Sequence, residues 1–150
     1  MAGYVAFSPT RDPEECPVSR ASVTGYKYAH DQMLAALAAM DELAQGDPPK
    51  QLRLSHTRLR ITRAGTESRA AFHKIALALS RHPSPLTARS LDTLERMHLE
   101  LRQLAKHHLA TWTHSQAQED WAGYCRSSAE VRHLWRETIA RERELLYPLL

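Results

Sequence analysis

The sequence predicts an all-α protein, an up-down-up-down four-helix bundle with an irregular N-terminal arm. Along four stretches, apolar residues recur at steps of three and four, which is the spacing of one face of an α-helix. Glycine is scarce, with 5 in 150 residues, and turn residues separate the four stretches. Amphipathic helices with short connections bury their apolar faces most simply against one another, so we expect one bundle domain at residues 23–150.

The N-terminal arm is predicted at residues 1–22, where prolines recur and no helical period is present. The first helix is expected from about Thr24 to Ala44. Gly46 and the two prolines that follow it end this helix, because proline has no backbone N–H to donate. One face of the helix carries the stripe Tyr26, His30, Met33, Leu37, Met40 and Ala44.

Three more helices are expected, at about 49–80, 87–113 and 118–147. The segment His82-Pro-Ser-Pro85 separates the second helix from the third, since proline cannot continue a helix. A three-helix core in which the second helix is broken at Gly65 is the alternative architecture.

The composition favours a soluble, cytoplasmic protein. Charged residues make up 25% of the chain and hydrophobic residues 43%, as in ordinary globular domains. No apolar run approaches the roughly 18 residues that a membrane span requires, and the first residues lack the pattern of a signal peptide. Cys16 and Cys125 are far apart and form no Cys-x-x-Cys motif, which favours reduced thiols. We therefore expect no membrane partner.

Three polar residues interrupt the apolar stripes: His30 in the first helix, His98 in the third and Glu142 in the fourth. A buried carboxylate is costly unless it is paired, protonated or bound to a metal. At about 1.5 Å of rise per residue, these residues and His73 of the second helix lie toward one end of the bundle. Imidazole and carboxylate groups from facing helices suit iron, manganese or zinc. The candidate metal ligands are therefore His30, His73, His98 and Glu142, and a hydrogen-bonded core residue is the alternative for each histidine on an apolar stripe.

Three segments carry a family resemblance: the pattern His30-x-x-Met-Leu-x-x-Leu, the segment Trp121-Ala-Gly-Tyr-Cys-Arg and the segment Ile139-Ala-Arg-Glu-Arg-Glu-Leu-Leu-Tyr-Pro148. Through them, residues 24–150 resemble the hemerythrin-like family, the HHE cation-binding four-helix bundles. The resemblance implies a bundle with two irons held between its helices. It also implies that His30, His98 and Glu142 are the ligands from the first, third and fourth helices.

Two positions depart from the ligand pattern of that family. Thr138 stands where the family has the histidine of the fourth-helix pair. Leu77 stands four residues after His73, where the second-helix pair of the family has glutamate. With these changes, the resemblance implies a degenerate site without a metal, and iron as the ion if one is bound. A functional mono- or di-metal protein that binds O2, or senses metal or redox state, is the alternative.

Sequence motifs of common enzyme classes are absent: there is no Gly-rich phosphate loop, no Gly-x-Ser-x-Gly and no His-Glu-x-x-His. We therefore expect a non-enzymatic binding or sensory module rather than an enzyme. Its partner would be an unidentified protein or a second copy of the chain.

The second helix is strongly basic. A positive helix can bind an acidic partner or nucleic acid, and an interaction module of this kind is the second alternative. The arginines are spread around the helix and no DNA-binding motif accompanies them, which favours a solvated surface over a nucleic-acid site. Against the single acid Glu67, the helix carries Lys50, Arg53, Arg58, Arg60, Arg63, Arg69 and Lys74.

Overall fold

The computed structural model describes residues 17–81 and 84–150, and every regular element within them is helical. This confirms the predicted all-α class. Residues 1–16 of the predicted arm, and positions 82 and 83 of the predicted break, lie outside the described residues. The elements are α1 (Arg20–Ala44), α2 (Gln51–Ser80), α3 (Pro85–Thr111), α4 (His114–Glu119), α5 (Trp121–Leu146) and a 3-10 turn (Tyr147–Leu149).

The short helix α4 is the element that the sequence prediction lacked, so the described residues contain five α-helices where four were expected. The Thr113 side chain caps α4 by accepting a hydrogen bond from the Gln116 N–H, and the Asp120 side chain caps α5 through the Gly123 N–H. Each cap provides an acceptor for an N–H group that lacks a partner at a helix start. The chain therefore begins a new helix twice within this stretch.

Helix α1 begins at Arg20, earlier than the start expected near Thr24. Ser19 caps it, because its side-chain oxygen accepts a hydrogen bond from the Ser22 N–H. Val18 is buried just before the cap. The residues directly preceding α1 are therefore part of the folded body, and residues 20–22 of the predicted arm are helical.

Helix α2 runs without a break through Gly65, so the alternative of a helix broken there is wrong for this chain. A Cβ atom at Gly65 would lie 3.0 Å from Cζ2 of Trp135 on α5. Glycine costs roughly 1 kcal/mol relative to alanine inside a helix. Here it permits a close approach between α2 and the indole ring.

The core is arranged in three successive layers of buried side chains. The first layer includes Tyr26, Phe72, Ile75, Leu79, Leu91, Leu94 and Leu146. The middle layer includes Met33, Leu37, Leu101, Val131, Trp135 and Ile139. The third layer includes Met40, Leu43, Leu54, Ala117 and Tyr124.

The long helices associate unequally. Helix α1 packs mainly on α2, and α3 packs mainly on α5, whereas α2 and α3 have far less contact with each other. Contact between α1 and α5 is equally sparse, and an opening is present between α2 and α3. Among the described helices, none combines the length and the apolarity needed to cross a bilayer.

Candidate functional site

Glu142 of α5 is fully buried, and both of its carboxylate oxygens accept hydrogen bonds from other helices. The Nε2 atom of His30 lies 2.7 Å from Oε2, and the Nε2 atom of His98 lies 2.7 Å from Oε1. The hydroxyl of Tyr26 also donates to Oε2. These three donors compensate for the loss of water around the carboxylate, which would otherwise cost several kcal/mol.

A second tyrosine completes the arrangement from the C-terminal side. The hydroxyl of Tyr147 lies 2.7 Å from Nδ1 of His30, and the two rings are stacked with centroids 5.7 Å apart. We call Tyr26, His30, His98, Glu142 and Tyr147 the Glu142 cluster. It joins α1, α3, α5 and the 3-10 turn at the first core layer.

Hydrogen-bond donors and acceptors in the cluster match if both histidines are neutral. His30 then donates from Nε2 to Glu142 and accepts at Nδ1 from the Tyr147 hydroxyl. His98 donates from Nε2, while its Nδ1 is buried without a hydrogen-bond partner. Its ring instead stacks on Phe72, with centroids 4.3 Å apart.

The charge of the cluster is concentrated on Glu142. Burial by itself would raise the pKa of Glu142, but the hydrogen bonds that its carboxylate accepts from His30 and His98 outweigh burial, so the pKa is lowered. Burial, reinforced by the neighbouring Glu142 charge, raises the pKa of Tyr26 far above the ordinary tyrosine value. The cluster is therefore a carboxylate that accepts hydrogen bonds from one tyrosine O–H and two imidazole N–H groups.

Of the predicted ligands, the structure brings together His30, His98 and Glu142, and it leaves His73 exposed on α2. The neighbouring Phe72 points inward and stacks on His98 instead. Successive residues of an α-helix are rotated by about 100°, so only one of these two neighbours can face the core. His73 therefore lies at the expected height along the bundle, next to Phe72, but on the side of α2 that faces away from the core.

Thr138 is buried one turn before Glu142. Its hydroxyl donates to the carbonyl oxygen of Leu134 at 2.8 Å, within α5. The threonine side chain thus satisfies its hydrogen-bonding group locally. It adds no donor or acceptor to the Glu142 cluster.

The donor set does not fit a two-iron centre. Glu142 is the sole carboxylate of the cluster, and its oxygens are already occupied by the imidazole N–H groups and a tyrosine hydroxyl. Across residues 17–81 and 84–150, no group of three or more histidine, cysteine, aspartate or glutamate side chains is arranged to hold a metal ion. Hydrogen bonds between its side chains hold the cluster together.

A cleft of about 480 Å³ opens between α2 and α3, and the sequence interpretation did not anticipate it. Its floor is apolar and belongs largely to the middle core layer: Leu37, Ile61, Gly65, Val131 and Trp135. Basic side chains from three helices surround this floor: Arg58, Arg69, Arg102, Lys106 and Arg132. No acidic residue lines the cleft within the described part of the chain.

His108 lies in the wall of the cleft, and its Nδ1 atom is 2.7 Å from the Ser127 hydroxyl. Burial lowers the pKa of His108 to about 4, and the nearby charges of Arg58 and Arg132 act in the same direction. The imidazole is therefore neutral at neutral pH. The positive charge of the cleft comes from its arginines and lysine.

No family model matches the sequence, and neither a curated protein nor a solved structure matches it. The resemblance to hemerythrin-like bundles therefore stays a prediction that rests on the sequence segments alone.

Proposed function

We propose that this protein is a non-enzymatic, small-molecule-binding helical bundle derived from a hemerythrin-like ancestor. Its four long helices would run up-down-up-down, with α4 as part of the connection between α3 and α5. The cleft between α2 and α3 is the binding site. The Glu142 cluster is a degenerate metal site in which hydrogen bonds hold the helices where the family has metal ions.

The observation that carries this proposal is the cleft. Its volume of about 480 Å³ falls within the roughly 300–1,000 Å³ typical of small-molecule sites. Such sites combine an apolar lining with a few polar groups that orient the ligand. Here Trp135 and Val131 supply apolar surface, while Thr62, Gln103 and Ser128 supply polar side chains.

The location of the cleft also supports binding. It lies where two well-packed helix pairs meet with little contact, so a ligand can enter without disrupting the core layers. The Glu142 cluster lies in the first core layer and stabilises the helices that form the walls. The scaffold can therefore hold the cleft open in a fixed shape, which lowers the entropic cost of binding.

The experiment is a titration of the full chain with the neutral fluorescent probe N-phenyl-1-naphthylamine, whose emission rises in apolar surroundings. We expect saturable binding to the wild type and loss of binding in Ala105→Phe, which places a phenyl ring in the cleft. Ala110→Phe is the matched control, because Ala110 is exposed on the same helix outside the cleft.

Thr62→Phe tests the same site from α2, with Ala70→Phe as its control, since Ala70 is exposed on the same helix outside the lining. It keeps the test valid if Ala105→Phe fails to fold. Equal binding by the wild type and by both folded cleft-blocking variants would contradict the proposal. Absence of saturable binding to the wild type would contradict it as well.

A further inference from the structure

The geometry points to an amphipathic organic anion as the ligand of the cleft, with its carboxylate held by Arg69 and Arg102 and its apolar body against Trp135. This inference rests on the proposed function and adds the chemical class of the ligand. A medium-chain fatty acid has this chemistry.

Arg69 of α2 and Arg102 of α3 both line the opening between these helices, and neither forms an ion pair with an acid in the described residues. The hydrogen bond from Arg69 to the Thr66 hydroxyl is long, at 3.5 Å. The guanidinium of Arg69 also lies close to the Cβ position of Gly65, directly beside the apolar floor. Two unpaired guanidinium groups next to an apolar surface suit a carboxylate attached to an apolar body.

The pKa of Arg69 agrees with a carboxylate bound beside Arg69 and Arg102. Its pKa is lowered, first by partial burial and then by the charge of Arg102. A carboxylate between the two side chains would replace like-charge repulsion by two charge-assisted hydrogen bonds. Lys106, one turn along α3, adds a further positive charge to the same wall.

The opposite end of the cleft is less available to an anion. Arg132 is paired with Asp41, and Arg58 lies over the ring of Tyr124 at 5.7 Å. Arg58 and Arg69 are separated by about 16 Å along α2, at ~1.5 Å per residue. Between them lies the apolar floor, so a head group at Arg69 leaves room for an extended chain toward Tyr124.

Charge complementarity selects this class over neutral or cationic ligands. The cleft has five basic side chains and no acidic one among its described lining residues. A neutral amphiphile would gain the apolar contact alone, whereas a cationic amphiphile would also be repelled. The finite volume of about 480 Å³ favours a small molecule over a folded partner.

The test compares decanoate, decanol and decyltrimethylammonium, each below its aggregation concentration, as competitors of N-phenyl-1-naphthylamine on the full chain. We expect decanoate to bind at least about tenfold more tightly than decanol, the size expected for hydrogen bonds to a charged group. Its affinity should fall as salt is added, because ions screen exposed charges. The affinity for decanol should show little salt dependence.

Arg69→Gln and Arg102→Gln should each weaken decanoate binding about tenfold and leave decanol binding unchanged. Arg53→Gln on α2 and Arg89→Gln on α3 are the matched controls, since both residues are exposed outside the cleft. Probe binding with equal affinities for decanoate and decanol would overturn this inference and leave the proposed function standing. Failure of the neutral probe to bind would overturn both.

Discussion

Replacing Glu142 by alanine removes the acceptor of three buried hydrogen bonds, from Tyr26, His30 and His98. A buried donor left without a partner costs roughly 1–3 kcal/mol, so the three together give a loss of roughly 3–9 kcal/mol. A domain of this kind has a total stability of about 5–15 kcal/mol. We therefore expect Glu142→Ala to lose much of its free energy of unfolding.

Glu142→Gln separates hydrogen bonding from charge. The carboxamide keeps an oxygen acceptor for Tyr26 and His30, and its NH2 group can donate to Nε2 of His98 once that ring takes the other tautomer. The proton would then lie on Nδ1, which has no partner in either case. We expect a loss of roughly 1–3 kcal/mol, because the hydrogen bonds are no longer charge-assisted.

The measurement is urea unfolding followed by circular dichroism at 222 nm, with Glu130→Ala and Glu130→Gln as matched controls. Glu130 is exposed on the same helix, so its replacement should change the free energy of unfolding by less than about 0.5 kcal/mol. If Glu142→Ala is as stable as Glu130→Ala, the cluster does not hold the helices together and our reasoning is refuted. A wild type that loses stability in the presence of a chelator would refute it in another way, by revealing a metal.

Three further outcomes are expected. Protein purified without a histidine tag should contain no stoichiometric metal by elemental analysis; two equivalents of iron, lost in Glu142→Ala, would establish the metal alternative. The pKa of His108 is about 4 in the folded state and 6.5 for the free side chain, so on acidification the unfolded chain takes up a proton at this histidine at a higher pH than the folded protein does. The free energy of unfolding should therefore fall as pH drops from 6.5 to about 4. Urea titrations of His108→Gln should show a shallower fall, and an equally steep fall would contradict a lowered pKa for His108. Gly65→Val should lower the free energy of unfolding by about 1–3 kcal/mol and alter the near-ultraviolet circular dichroism of Trp135, since the added atoms overlap the indole. A variant identical to the wild type in both measurements would show that Gly65 and Trp135 are not closely packed.

Two kinds of information in the sequence were enough to find the centre of the candidate site. His30, His98 and Glu142 each stand on an apolar stripe, where a polar residue must find a partner. Their distances from the turns placed them at one end of the molecule. The structure confirms that these three side chains meet.

For α2, the sequence did not determine which side of the helix faces the core. Arginines around this helix obscure its apolar face, so a residue's level could be estimated but its direction could not. That is why His73 was included and Phe72, which contacts His98, was not. Phe72, Ile75 and Leu79 are spaced three and four residues apart, and this short spacing pattern was the available signal of the inward face.

The two tyrosines of the cluster were missed for a different reason. Tyr26 was placed on the apolar stripe as a core aromatic, although it precedes His30 by one helical turn and can share its target. Tyr147 contacts His30 from the 3-10 turn that follows α5, an element that the sequence analysis did not predict. The cleft depends on the spacing between α2 and α3, and helical periodicity carries no information about that spacing.

The Glu142 cluster also joins segments that are far apart in the sequence. Its hydrogen bonds join Glu142 to His30 and Tyr26 across separations of 112 and 116 residues. Helices α1 and α3 are synthesised before α5, so His30 and His98 lack their carboxylate acceptor until α5 docks. Contacts this distant in sequence form slowly, because a long loop must close first. Docking of α5 supplies the carboxylate acceptor that both histidines require, so we expect the cluster to form late in folding.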